Sequence, residues 1–384
     1  MPRRSPRTER PLPPPADVGG LRGRLLRWFD ANRRDLPWRR RRDPYAVWLS
    51  EVMLQQTQVA TVVPYFERFL ERFPDVHALA RAEVADILAL WRGLGYYSRA
   101  RNLHRAAQLL SAQGFPDTAK GLQALPGLGR YTAAAIASLA FAEPVAVLDG
   151  NVSRVIARLR AIEGPLGSSQ ARLWSEAETL LDRDRPGAFN EAMMELGALV
   201  CVPGEPRCGL CPLAADCTAR AGGLERAIPA PKPRPVRKRL RMACAVVAAR
   251  GRILLARRAE EGLFGGLWEL PSVTVEEGDS GTSALASLGF RAIEEEPFAT
   301  VRRTLTHREL TLELFLCRPW RGLAAGFVEQ RSANLAETEG LGVSKAMSLA
   351  LVHVEPMLGD ARKPTARARS RKRGGQAEAR GVRG

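Results

Sequence analysis

LPGLGRYTAAAIASLAF, residues 125–141, is the stretch from which the fold can be read. Gly127 and Gly129 make a tight turn that opens a helix near Tyr131. Backbone N–H groups at a helix start have no partner within the helix, point outward and can bind a phosphate. A lone Gly-x-Gly would serve equally well as a packing corner. Here Thr132 and an alanine-rich helix follow, and then PVAVLDGNVSRV, residues 144–155. The turn is therefore followed by an aspartate, Asp149, placed just before another helix.

On both sides of this stretch the pattern is helical. GRLLRWFDANRR, AVWLSEVMLQQTQVATVVPYFERFLERF, VADILALWRGL, SRARNLHRAAQLLSAQG and RVIARLRAIEG carry apolar residues at three- and four-residue steps. Short Gly/Pro breaks separate them, so residues 21–224 read as one mainly α domain. Residues 225–241 read as a Pro- and Arg-rich linker. The character then changes. ACAVVAARGRILLARR predicts a strand, a glycine turn and a second strand, and RRTLTHRELTLELFLCRPW alternates like a hairpin arm. VSKAMSLALVHVEPML predicts a closing helix. Residues 242–357 thus form a second, α/β (α+β) domain, flanked with the first by arms at 1–20 and 358–384. No internal repeat is present.

Four cysteines fall close together as C-x6-C-x2-C-x5-C: Cys201, Cys208, Cys211 and Cys217. The chain between them is rich in Pro and Gly, a loop able to wrap a cofactor. Two disulfides would be the alternative in a secreted protein, but reduced thiols are the rule in the cytosol. Structural zinc sites usually use two C-x2-C pairs. One such pair with wider gaps on both sides suits a four-thiolate [4Fe–4S] cluster better. Cys244 and Cys317 lie in apolar runs and read as core residues.

The formal net charge of +17 is concentrated in three places. Residues 1–10 carry +3, residues 231–241 carry +6 and residues 361–384 carry +8, which accounts for all of it. Basic arms attract phosphate without reading sequence, and they are equally the mark of solvated, disordered ends. No run reaches the about 18 apolar residues of a membrane span. The N-terminus lacks the apolar stretch of a secretory signal. The expectation is a cytoplasmic, nucleoid-associated bacterial monomer with no membrane partner.

LPGLGRYTAAAI, VLDGNVSRV and the cysteine loop together resemble the helix-hairpin-helix DNA glycosylase superfamily, which includes endonuclease III. WLSEVMLQQTQVATVVPYFERF and GLGYYSRARNL are more specific. They are similar to the adenine DNA glycosylases of the MutY type, which remove adenine mispaired with 8-oxoguanine. The resemblance is strong over residues 21–224 and weaker over 242–357. It implies duplex DNA as partner and a [4Fe–4S] cluster on the four cysteines. The cluster's implied role is structural, fixing this half of the core and presenting Arg207 to phosphate; redox signalling is a second possibility.

Hydrolysis of an N-glycosidic bond needs a proton on the base and support for a cationic sugar, and two carboxylates with separated pKa values supply both. Glu51 lies among Trp48, Leu49, Val52, Met53 and Leu54, where burial would keep it protonated near neutrality. That suits a general acid for adenine N7. Asp149 precedes a helix whose N-terminus favours its anionic form. That suits an anion facing the oxocarbenium ion, or a transient covalent partner of C1′. An exposed Glu51 and an Asp149 serving only as a cap are the plainer readings of each alone.

The resemblance assigns further positions. Asn151 matches a residue that hydrogen-bonds the aspartate. Tyr131 stands where bifunctional relatives have a Schiff-base lysine, so the implied enzyme is monofunctional and leaves an abasic site. Gln56 and Tyr96 match residues that intercalate beside the lesion as the base is everted. Thr57 matches a contact to 8-oxoguanine. Trp38, Arg39, Leu54 and Glu191 match residues around the flipped adenine. Trp38 and Tyr96 would otherwise read as core aromatics, and Gln56 as a solvent-facing helix residue.

Residues 242–357 resemble a Nudix fold through ILLARRAEEGLFGGLWELPS. The glutamate-rich magnesium helix of Nudix hydrolases is replaced by EEGDSGTSALASLGF, which removes the hydrolase site and leaves a binding module. The family reads 8-oxoguanine with a Phe-Ser-His loop. This chain has Leu305-Thr306-His307, keeping a hydroxyl and an imidazole and losing the aromatic ring; TLTHREL could also be a plain hairpin turn. Two competing functions stay open at this level: a glycosylase for another mismatched base, and a catalytically silent iron–sulfur DNA-binding or redox module.

Overall fold

The turn at Gly127 and Gly129 lies between the two halves of a helical unit, and the helix it opens is shared by both. The computed structural model describes residues 17–231, 236–318 and 322–358. Residues 1–16 of the expected N-terminal arm, 232–235 of the linker and 359–384 of the basic tail lie outside the described residues. The chain divides into two compact units. One spans residues 1–236 with 262–267 and 340–344; the other spans 237–261, 268–339 and 345–384.

The first unit contains α1 (Val18–Asn32), α2 (Pro37–Arg40), α3 (Pro44–Leu54), α4 (Val59–Arg72), α5 (Val76–Arg81), α6 (Val84–Leu90), α7 (Ser98–Gln113), α8 (Ala119–Leu122), α9 (Arg130–Phe141), α10 (Gly150–Leu159), α11 (Gln170–Leu180), α12 (Pro186–Leu199) and α13 (Thr218–Ala221). Two apolar cores meet at α9. Ala133, Ile136 and Ala137 pack with α3 to α7. Ala134 and Ala135 pack with α1 and α10 to α12. Small side chains on every side of α9, buried from Thr132 to Ser138, let α3 and α12 approach it closely.

α3 is started by Asp43, whose side chain accepts from the Ala46 N–H, with Pro44 in its first turn. Its residues Tyr45 to Met53 are all buried, Glu51 included. The sequence pattern predicts one helical run across residues 46–73, but the chain breaks between α3 and α4. Gln56 has φ of 57°, so it is in a left-handed turn and not on a helix face. Gly127 is also left-handed, at φ 80°. A Cβ there would stand 2.8 Å from Asn102 Cβ, so both backbone and packing call for glycine. Gly129 differs: it precedes α9 at φ −79° and ψ 174°, and a Cβ built on it would meet open space.

In the second unit, β1 begins at Lys238, inside the stretch expected as linker. It pairs in parallel with a later strand from Lys238↔Arg308 onward, so the basic segment is already part of a sheet. The strands are β1 (Lys238–Val246), β2 (Ala248–Ala249), β3 (Arg252–Arg258), β4 (Trp268–Glu269), β5 (Ser272–Thr274), β6 (Ala299–Thr304), β7 (Arg308–Leu316) and β8 (Phe327–Ala333). One sheet has the order β5-β1-β7-β6; the other is β2-β3-β4 with β8 also paired to β3. α14 (Gly281–Ser287), α15 (Leu335–Glu339) and α16 (Lys345–Val354) complete it. α14 carries no carboxylate. The fold is thus a helical core joined to an α/β unit with one mixed sheet.

Candidate active site

A cavity of about 610 Å³ opens between α3, α9, α12 and the start of α10. That is within the range of small-ligand sites, roughly 300–1,000 Å³. Glu51, Tyr131, Asp149, Asn151, Trp38, Arg39, Leu54, Gln56, Thr57 and Glu191 all line it.

Glu51 is 6% exposed. Tyr131 donates its hydroxyl hydrogen to Glu51 Oε2 at 2.9 Å, and the same hydroxyl lies 3.3 Å from Met194 Sδ. Burial pushes the Glu51 carboxyl up to about 7, against the Tyr131 hydrogen bond, and the negative charges of Asp149 and Glu191 push it further up. Burial also holds the Tyr131 phenol well above its ordinary value. It is therefore a permanent donor at neutral pH. Among the described residues no lysine lines the cavity.

Asp149 caps α10, accepting from the Val152 N–H at 2.6 Å and from Asn151 Nδ2 at 3.0 Å. The helix start favours its anion as expected, but burial is the larger effect and its pKa lies above the ordinary aspartate value. Its two recorded partners both donate, as an anionic carboxylate requires. The carbonyl oxygen of Asn151's side chain accepts from Arg154 Nη2 at 2.9 Å, and Arg154 Nε donates to the backbone carbonyl of Cys201 at 2.8 Å. α12 crosses this point so closely that a Cβ on Gly197 would stand 2.6 Å from Asn151 Cβ.

Also lining the cavity, Arg39 Nε donates to Glu191 Oε1 at 2.8 Å, and Arg39 reaches Glu195, which Arg34 clamps with backbone and side chain. These guanidinium bonds hold the Glu195 carboxyl down at about 2, despite its burial. Met194, Glu195 and Arg154 were missed in the sequence. The i,i+4 spacing of Glu191 and Glu195 on one helix was the available signal for the acid pair.

Tyr96 does not line the cavity. It sits in the turn between α6 and α7 at φ 48° and is 40% exposed. Gly127 and Gly129 lie at the turn before α9, outside the cavity. Thr306 and His307 belong to the second unit, exposed at the tip of the β6–β7 hairpin, which closes through the Leu305 N–H to the Arg308 carbonyl at 2.8 Å.

Cys201, Cys208, Cys211 and Cys217 surround one small cavity together with Arg158 and Arg220. None is in a disulfide. Among the described residues no group of three or more His, Cys, Asp or Glu side chains is placed to hold a metal ion. The residues present fit a four-thiolate cluster in number and type, since all four thiols line that one cavity. Arg158 Nη1 lies 3.3 Å from Cys201 Sγ and could donate to a thiolate there. Arg207 is exposed beside this loop. Among the described residues no helix is long and apolar enough to cross a membrane.

Residues 49–176 match the model of the HhH-GPD superfamily base excision DNA repair proteins. That stretch of the chain carries an HhH-GPD domain. Residues 242–353 match a NUDIX domain, so the chain carries a Nudix-like second domain. It is 41% identical over 320 residues to the adenine DNA glycosylase of Homo sapiens, covering 68% of this chain and 59% of that one. It is 40% identical over 307 residues to the adenine DNA glycosylase of Arabidopsis thaliana, covering 68% and 49%. Against the adenine DNA glycosylase of Buchnera aphidicola (from Acyrthosiphon pisum) it is 41% identical over 202 residues, covering 51% and 58%. The chain thus spans between about half and three fifths of the length of these relatives.

Proposed function

We propose that this protein is an adenine DNA glycosylase that hydrolyses the N-glycosidic bond of adenine mispaired with 8-oxoguanine or guanine, leaving an abasic site. One observation carries the reading. A carboxyl with a pKa near 7 and a second carboxylate held only by donors face a single nucleoside-sized cavity.

In this reading the target nucleotide leaves the duplex stack and enters the cavity. Glu51, with one oxygen held by Tyr131, delivers its proton to adenine N7, which makes the base a neutral leaving group. Asp149 faces C1′ as the C–N bond breaks and stabilises the oxocarbenium ion. Glu51, now anionic, takes the proton of the water that attacks C1′. Trp38 and Leu54 flank the base, while the Arg39–Glu191 pair fixes the polar wall. With Tyr131 in the cavity and no lysine lining it among the described residues, this reading has no Schiff base and leaves the strand whole. Gln56 and Tyr96 fill the gap in the duplex, and Thr57 meets the opposite base.

The open amides at the start of α9 and the bare Cα of Gly129 suit a phosphate. The four cysteines would hold a [4Fe–4S] cluster, which fixes the loop that supports Arg154. On the second unit, Thr306 and His307 at the hairpin tip supply the hydroxyl and imidazole for reading 8-oxoguanine. With Leu305 in place of an aromatic residue, stacking is lost there, so discrimination rests on hydrogen bonding.

The test is base release from duplexes containing A opposite 8-oxoguanine, A opposite G, and T opposite G. Adenine from the first two and no thymine is the expected result. Thymine release would move the protein to a different mismatch specificity. Efficient borohydride trapping on DNA would overturn the monofunctional assignment.

A further inference from the structure

The turn that carries Gln56 and Thr57 and the turn that carries Tyr96 are far apart in sequence, yet one side chain holds both. Arg99 Nη1 donates to the carbonyls of Val52, Met53 and Gln55 at 2.9, 2.8 and 2.6 Å. Its Nη2 donates to Thr57 Oγ1 and to the carbonyls of Leu94 and Gly95, each at 3.2 Å. The guanidinium lies 5.4 Å from the ring centres of both Trp91 and Tyr96.

Arg99 is 8% exposed, and its charge is met by carbonyl oxygens, with no carboxylate among the described residues acting on it. Burial lowers its pKa to about 10, so it stays charged at neutral pH. A buried cation without a carboxylate is costly and persists only where its geometry is needed. Part of the compensation is local. The carbonyls it caps end α3, where the helix dipole favours a cation. α3 is the helix that carries Glu51.

Both turns contain a left-handed non-glycine residue, Gln56 at φ 57° and Tyr96 at φ 48°. Each is bracketed by groups that Arg99 holds. Gln56 lies between Gln55 and Thr57. Tyr96 follows Gly95, and its own carbonyl accepts from the Arg99 N–H at 2.8 Å. Such conformations last only where the surroundings over-determine them.

We propose that Arg99 is the positioning residue of the site's duplex-facing rim, locking the Gln55–Thr57 and Leu94–Tyr96 turns into one prearranged edge. The functional consequence rests on the glycosylase reading; the structural claim does not. Lysine at this position would keep the charge but lose the planar fork that spans both turns.

The test compares full-length wild type with Arg99→Lys and Arg99→Met. In hydrogen exchange, the amides of Thr57 and Leu94 should both lose protection by about tenfold or more, with α9 unchanged. Unchanged protection in either turn, or uniform loosening through α9, overturns the proposal. If Arg99→Met does not fold, Arg99→Lys decides. In single-turnover assays, adenine release from an A·8-oxoguanine duplex should slow by roughly tenfold or more, while release of adenine opposite an abasic analogue, already unpaired, should change by less than about threefold. Equal losses on both substrates overturn the rim assignment. A wild type that releases no adenine from either substrate sinks the glycosylase reading, and the exchange result still decides the role of Arg99.

Discussion

Tyr131 donates to Glu51 across 2.9 Å, from the first turn of one helix to the interior of another. A phenol held above its ordinary pKa cannot take the carboxyl's proton, so it orients Glu51 without competing with it. The hydrogen bond favours the charged carboxylate, while burial opposes charge and prevails. The balance places this acid near neutrality.

Removing that donor should move the balance in a known direction. In Tyr131→Phe the Glu51 pKa rises above about 7, because the bond that stabilised its anion is gone. In the proposed reaction activity requires protonated Glu51 and falls as pH rises through its pKa. The alkaline limb of the single-turnover rate profile should therefore shift to higher pH. A limb that stays in place would show that Glu51 is not the titrating acid.

Glu51→Gln should bind mismatched duplex normally and lose adenine release by about a hundredfold or more, the scale of general acid catalysis. Stability should respond the other way. A carboxyl raised from about 4.5 to about 7 binds its proton more tightly in the folded state, so stability is lost as pH rises through that window. At pH 8 the glutamine variant should be more stable than wild type, by at most about 3 kcal/mol. The advantage should largely vanish near pH 4. Thermal melts at both pH values check this.

Arg154 joins the anionic carboxylate to the cysteine loop through Asn151 on one side and the Cys201 carbonyl on the other. Arg154→Met should slow adenine release by roughly ten- to a hundredfold, the usual cost of losing such a supporting partner. It should also speed loss of the brown colour on incubation with an iron chelator. Release at the wild-type rate would show that Asp149 needs no support from the loop.

Gly197→Ala introduces a methyl 2.6 Å from Asn151 Cβ and 3.0 Å from its carbonyl oxygen. Backbone lies on one side of it, so α10 and α12 must separate. A destabilisation of about 1–3 kcal/mol is expected from such overpacking. Adenine release should fall with it, since Asn151 is displaced from Asp149. Denaturant unfolding and single-turnover rates measure the two effects.

Much of the site was written locally. The glycines before α9, the cap of Asp149 and the apolar run around Glu51 are short-range signals, and each placed its residue in the right element. The break after α3 was not legible, because QQTQ contains no glycine or proline and the apolar spacing continues across it. What stabilises the break is Arg99, more than forty positions later in the chain, and an arginine in SRARNL reads as a solvated helix face. The net rise in the Asp149 pKa was hidden for a similar reason. Its helix start is local, but its burial depends on α12 and on the whole cavity wall. The basic start of β1 looked like linker because its partner strand lies seventy residues away.

Gly129 has ordinary backbone angles and empty space where a side chain would go. Nothing inside the molecule asks for glycine there; the demand, if the helix start meets a phosphate, comes from the substrate. Alanine at this position would be almost silent in a melting experiment and costly on DNA. If it does meet a phosphate, surveys that rank variants of this protein by thermal stability would pass over a harmful change there.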